Sequence, residues 1–143
     1  MIDYSYGIYL ALAIVGFILI LVILSSIYKE PYTSGFKVKV YKQLNEIKAV
    51  LNNGNSFSNR DVIIRLDSIL SKVLQKHFNN DLSCGDNIKK IKHKFHKETY
   101  QDLWYYHKLR NQIVHESVDV TSDDVKKAYK VYWRVIYKML SNS

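Results

Sequence analysis

The chain is poor in the residues that staple a fold or interrupt it. One cysteine, Cys84, in 143 residues excludes an intrachain disulfide and falls short of any cysteine-based zinc motif. That usage fits a reducing compartment, with Cys84 a small loop or core residue. Proline occurs once, at Pro31, and glycine five times. No stretch alternates apolar and polar residues for long enough to argue for a sheet, and no internal repeat is present. Positive charge is also missing from one end: all 21 lysines and arginines lie at or beyond Lys29. The seven residues before the first apolar run carry Asp3 and no cation. A cleaved secretory signal needs a positive n-region, a shorter apolar core and a small-x-small cleavage site, so a retained segment is the better reading.

What is present at that end is an uninterrupted aliphatic run. Ile8 to Ile27, "IYLALAIVGFILILVILSSI", holds no charge and only two serines. At about 1.5 Å per residue it spans a hydrocarbon layer of about 30 Å, which predicts a single transmembrane helix. Tyr4, Tyr6 and Tyr9 on one side, with Tyr28 and Tyr32 on the other, are placed for the two interfaces. Lys29, Lys37, Lys39 and Lys42 follow closely, and the positive-inside rule then puts the N-terminus outside and the C-terminal part in the cytoplasm. From Lys29 onward 21 basic residues face 12 acidic ones, a formal +9. Such a surface suits anionic lipid headgroups or nucleic acid, and composition does not separate the two.

The organisation read from the sequence is a tail and membrane helix over 1–28, a linker over 29–35 and a cytoplasmic helical domain over 36–143. Phe36, Val40, Leu44, Ile47 and Leu51 form one apolar stripe that stops at "NNGNSFSN". A second helix, capped by Ser58 or Asn59, carries a broad core face of Val62, Ile63, Leu66, Ile69, Leu70, Val73, Leu74 and Phe78. In the short "NIKKIKHKFHKE", Ile88, Ile91 and Phe95 keep helical spacing. A third long helix runs from about Thr99 to Glu116. Thr121 with Asp124 resembles a capping box, with Asp for the usual Glu or Gln, and opens a last helix whose core face is Val125, Ala128, Tyr129, Tyr132, Ile136, Met139 and Leu140. The predicted fold is all-α: a membrane helix followed by a bundle of four to five helices.

"HKLRNQIVHE", residues 107–116, is the segment that carries chemistry. With Leu103 set at 0° and steps of about 100°, Leu109, Ile113, Tyr106 and Val114 fall between about 240° and 20°, the core arc. Arg110 lands inside it at about 340°. An arginine there costs several kcal/mol if unpaired, so it must meet a carboxylate, reach a rim or face an opening between subunits. His107, Asn111 and His115 form a polar stripe on the shoulder, at about 40°, 80° and 120°. Arg110 and His115 are thus about 140° apart, and one copy of the helix does not aim both at one small substrate. Two copies of the helix related by a two-fold axis could do so.

At these residues the sequence resembles the HEPN superfamily, whose signature is an arginine, usually followed by a polar residue such as asparagine, and a histidine after four intervening residues. The resemblance covers roughly Ser58 to Leu140. It implies a helical homodimer whose motifs face each other across a cleft. For the ribonuclease members it implies metal-independent cleavage, with His115 as general acid/base, Arg110 as the cation on the phosphate and Asn111 orienting them. Other members carry the motif as structure alone. Some toxin members have a tyrosine two residues after the histidine, where this chain has Ser117. No metal or cofactor is required, and His93, His96 and His107 lie among lysines rather than beside carboxylates, a poor setting for a cation.

Lys89, Lys90, Lys92, Lys94 and Lys97, with His107, are the further candidates for contact with RNA or with lipid. Phe95 or His96 would stack in the first case, and a solvated face would lie on anionic lipid in the second. Most tyrosines keep core spacing, whereas Trp104 and Tyr105 lie off the core arc and are placed for a partner. Three readings follow: a membrane-anchored HEPN-like homodimer that binds or cleaves RNA, a non-enzymatic helical interaction module at the membrane, and a lipid-headgroup binder.

Overall fold

The computed structural model describes residues 4–27, 32–53, 59–116 and 118–141, and every regular element among them is helical. The chain divides into two compact units, Met1–Glu30 and Pro31–Ser143. The first is one helix, α1 (Tyr4–Ile27), whose stretch Tyr6–Leu24 is long and apolar enough to cross a membrane and is nowhere buried. Its apolar residues are distributed all round, unlike the one-sided stripe of a helix on a soluble core. Tyr6 and Tyr9 are exposed on it.

The second unit contains α2 (Ser34–Asn53), α3 (Asn59–Phe78), α4 (Cys84–Lys90), a 3-10 turn (Lys92–Lys94), α5 (Lys97–His115) and α6 (Ser122–Ser141). The centre is α3, which packs against α2, α4, α5 and α6. Its predicted face explains why: Val62, Ile63, Leu66, Ile69, Leu70, Val73 and Leu74 are all buried, and Phe78 packs on the core's edge. Val40, Leu44 and Ile47 bring α2 onto it, and Leu103, Tyr106, Leu109 and Ile113 bring α5. On α6 the predicted face is joined by Val131 and Val135, so the buried arc is broader than the sequence suggested. Tyr129 of that face is only partly buried.

The ends of the helices are set by local chemistry. The Thr121–Asp124 box forms in full: the Thr121 hydroxyl donates to Asp124 Oδ2 at 2.6 Å, the Asp124 N–H donates to Thr121 Oγ1 at 3.1 Å, and the Thr121 N–H donates to Asp124 Oδ2 at 3.1 Å. Ser58 lies outside the described residues. Asn59 is the first residue of α3 and donates from Nδ2 to the Val120 carbonyl. Arg60 donates to the carbonyls of Ile113 and Glu116, placing a cation on the C-terminal end of α5. Asn79, with φ of 47°, takes the left-handed conformation just past α3, one that asparagine tolerates.

Three expectations are corrected. Tyr32, read as an interfacial ring, is buried in the second unit, stacked on Phe36 and donating to the Val73 carbonyl. α2 begins at Ser34, within the segment read as linker. The run of Ile88, Ile91 and Phe95 is not one helix. It breaks after Lys90, tightens into the 3-10 turn, and Phe95 is extended (φ −130°, ψ 149°) before α5. Ile91 is buried and Phe95 packs on the core from the turn's two sides.

Candidate functional site: a buried carboxylate beneath the Arg110–Asn111 pair

The site is organised by a residue the motif reading did not name. Asp67 sits midway along α3, on the face that carries Leu66 and Leu70, and is buried. Its Oδ1 lies 2.8 Å from His107 Nδ1 and accepts from the Tyr132 hydroxyl at 3.0 Å. It also accepts from Cys84 Sγ at 3.7 Å. Asp67 Oδ2 lies 3.7 Å from Arg110 Nε. One carboxylate thus joins α3, α4, α5 and α6. A buried carboxylate is stable only when paired and hydrogen-bonded, and this one is both.

The donors are tuned to match. Burial, then the Asp67 charge, pushes the Cys84 thiol well above its ordinary range, and the same two causes raise the Tyr132 phenol far above 10. Both therefore keep their protons and point them at the carboxylate. Gly85 allows the approach of α4: a Cβ there would stand 3.2 Å from His107 Nε2 and 3.6 Å from Trp104 Cη2. Trp104 sits edge-on to His107, with ring centroids 5.6 Å apart.

Arg110 meets the carboxylate that its place in the apolar arc demanded. Its side chain is 35% exposed, its Nε is buried without a hydrogen bond, and its Nη1 donates to Asn111 Oδ1 at 3.1 Å. The base of the guanidinium is therefore held from below while part of the fork reaches solvent beside the half-buried Asn111. His115, the last residue of α5, is exposed and shares no hydrogen bond with either. Arg110 and Asn111 are brought together; His115 stands apart, as the helical angles required. Ser117 lies outside the described residues.

His107 overturns two expectations. It belongs to the buried cluster rather than to an exposed contact stripe, because α3 and α4 close over the shoulder of α5. It also lies beside a carboxylate, not among lysines alone. With Asp67 and Cys84 it brings ligand atoms within 4.8 Å of one another, so these three could hold a cation. A metal there would have to displace the protons that now bind the cluster together, with the Arg110 cation close by. Trp104 is half-buried by its packing, whereas Tyr105 is exposed as expected. Val114, at the edge of the predicted core arc, is exposed in the last turn of α5.

The five lysines fall on three elements, α4, the 3-10 turn and the start of α5. Lys89 pairs with Asp86 at 2.9 Å, Lys90 lies over the Phe78 ring at 5.1 Å, and the Lys94 carbonyl accepts from Lys138 Nζ. Lys92 and Lys97 are exposed on the 3-10 turn and at the start of α5. Asp67 was legible only as a solitary acid within an apolar arc. Compared with family models, curated proteins and solved structures, the chain matches none. The class rests on its own structure: an all-helical domain with an aspartate-centred polar core, following a helix apolar enough for a membrane.

Proposed function

We propose that Pro31–Ser143 is a HEPN-like domain, held at a membrane by α1 on the cytoplasmic side, that acts as a homodimer on RNA without a metal. One observation carries this reading: Arg110 is braced by a buried carboxylate yet keeps part of its guanidinium in solvent, next to Asn111. A guanidinium fixed on one side and open on the other is preorganised for a phosphate. His115, exposed on the same helix, supplies an imidazole, the side chain that most often serves as general acid/base. Its angular distance from Arg110 asks for a second copy of α5 to complete the site.

The test is cleavage of RNA by the full chain in neutral detergent with a chelator present. His115 is exposed, so His115→Ala should leave the thermal midpoint alone and reduce cleavage by about 100-fold or more, the share usual for a general acid/base. Cleavage that persists in His115→Ala, or that the chelator abolishes, overturns the enzymatic reading. A second reading has its own support: Arg110 is tied into the core cluster, as a structural arginine would be. In that case the domain is a non-enzymatic interaction module, and Arg110→Ala lowers stability with no activity to lose.

A further inference from the structure

The outer side of α6 carries an exposed aromatic pair. Trp133 and Tyr137, one turn apart, stack face to face with centroids 5.0 Å apart and planes 10° from parallel. They remain 40% and 47% exposed. Beside them lies a depression of about 500 Å³ between α2 and α6, lined by Asn45, Lys48, Tyr129, Lys130, Trp133 and Arg134. That size falls in the range of about 300–1,000 Å³ usual for small-ligand sites. Among the described residues it presents three cations, two aromatic rings and one amide, and no carboxylate. None of the ion pairs formed among those residues involves Lys48, Lys130 or Arg134. Arg134 is steadied by one bond from Nη1 to Thr99 Oγ1 at 3.4 Å.

We infer that this depression binds single-stranded nucleic acid, with a base stacked at Trp133 and its flanking phosphates held by Lys48, Lys130 and Arg134. The complementarity is specific in both parts. Uncompensated cations ask for an anion, and an exposed indole backed by a second ring asks for a flat π surface. A nucleotide strand offers both at short spacing, and every base has a face to stack. A bilayer surface would meet the lysines but does not reach into a concave site. A duplex hides its base faces. The site uses no residue of the Arg110–His115 motif and does not depend on cleavage.

The experiment is fluorescence anisotropy of a labelled short 2′-O-methyl oligouridylate, which lacks the 2′-hydroxyl that metal-independent cleavage needs, with the full chain in neutral detergent. Saturable binding is expected, weakened about tenfold or more by Trp133→Ala, the loss typical of one stacked base. Trp133→Phe keeps a ring and should recover most of the affinity. The Lys48→Gln/Lys130→Gln variant should bind more weakly and with a shallower salt dependence, because fewer counterions are released. Trp133 is exposed, so unchanged circular dichroism and thermal midpoint are expected and must accompany each result. The inference is overturned if no saturable binding is seen, if double-stranded RNA of the same length binds equally well, or if Trp133→Ala leaves affinity intact. It is also overturned if the lysine variant loses binding to phosphatidylglycerol vesicles but not to the oligouridylate, which would make this a lipid surface.

Discussion

Asp67 decides more than any other single residue. Replacing it with alanine strands the His107 ring nitrogen and the Tyr132 hydroxyl in the core and removes the counter-charge of Arg110. Each orphaned buried group costs about 1–3 kcal/mol, and the part-exposed Arg110 adds less because solvent screens it. Asp67→Ala should therefore destabilise the domain by about 3 kcal/mol or more. Asp67→Asn should cost less, since its carbonyl still accepts from Tyr132 and His107 while its amide no longer attracts Arg110. Denaturant midpoints followed by tryptophan fluorescence check both, because Trp104, one of the two tryptophans, packs on His107. Equal midpoints for Asp67→Ala and the unaltered chain would show that the cluster is not what joins the four helices. The arginine's need for a carboxylate was legible from its angle on α5. Its partner was not, because periodicity describes one helix at a time and Asp67 is supplied by another. Tyr132 illustrates the same limit: its spacing showed a core ring, but nothing in α6 alone says that its hydroxyl reaches α3.

At the scale of elements, the helices of the bundle were legible wherever an apolar stripe ran for several turns, as in α2, α3 and α6. The N-terminus of α6 was legible because Thr121 and Asp124 interact within one turn. Their bonds, first the Thr121 hydroxyl and then its backbone N–H, hold the Asp124 carboxyl below the ordinary carboxylate range. A carboxyl depressed in the folded state stabilises it above the unfolded value of about 4, and loses that contribution as pH falls through the folded value. Thr121→Ala should cost about 1 kcal/mol at neutral pH, as removal of a cap does. The gap to the unaltered chain should narrow below about pH 4, where the protonated carboxyl no longer accepts as strongly. Urea titrations at the two pH values read it directly, and a gap independent of pH would mean that Asp124 takes no part in the cap. The break between α4 and α5 was not legible, since neither Gly nor Pro marks it. It comes from tertiary packing: Ile91 is buried, Phe95 lies under the Lys138 ammonium at 4.9 Å, and the Lys94 carbonyl is taken by the same lysine. A continuous helix would have turned that carbonyl back into its own ladder.

At the scale of the whole chain, two units obey different solvents. The second hides its apolar residues in a core, while Tyr6–Leu24 exposes every one of them. In water that exposure is unfavourable by about 25 cal/mol for each Å² of apolar surface; in a bilayer the same surface is at home. The charge distribution follows the same division, with every lysine and arginine at or after Lys29. Membrane insertion should accordingly survive alkaline carbonate extraction in the unaltered chain. An arginine near the middle of such a helix costs about 2.5–3.5 kcal/mol on the insertion scale, against about 0.3–0.6 kcal/mol gained per aliphatic residue. Gly16→Arg combined with Leu19→Arg should therefore outweigh much of the apolar run and move the protein into the extractable fraction, with the second unit still folded. In the proposed orientation, protease added to intact cells leaves Pro31–Ser143 whole and degrades it only after the membrane is permeabilised. Digestion in intact cells would place the domain, and with it the proposed RNA chemistry of Arg110 and His115, on the wrong side of the membrane for that reading.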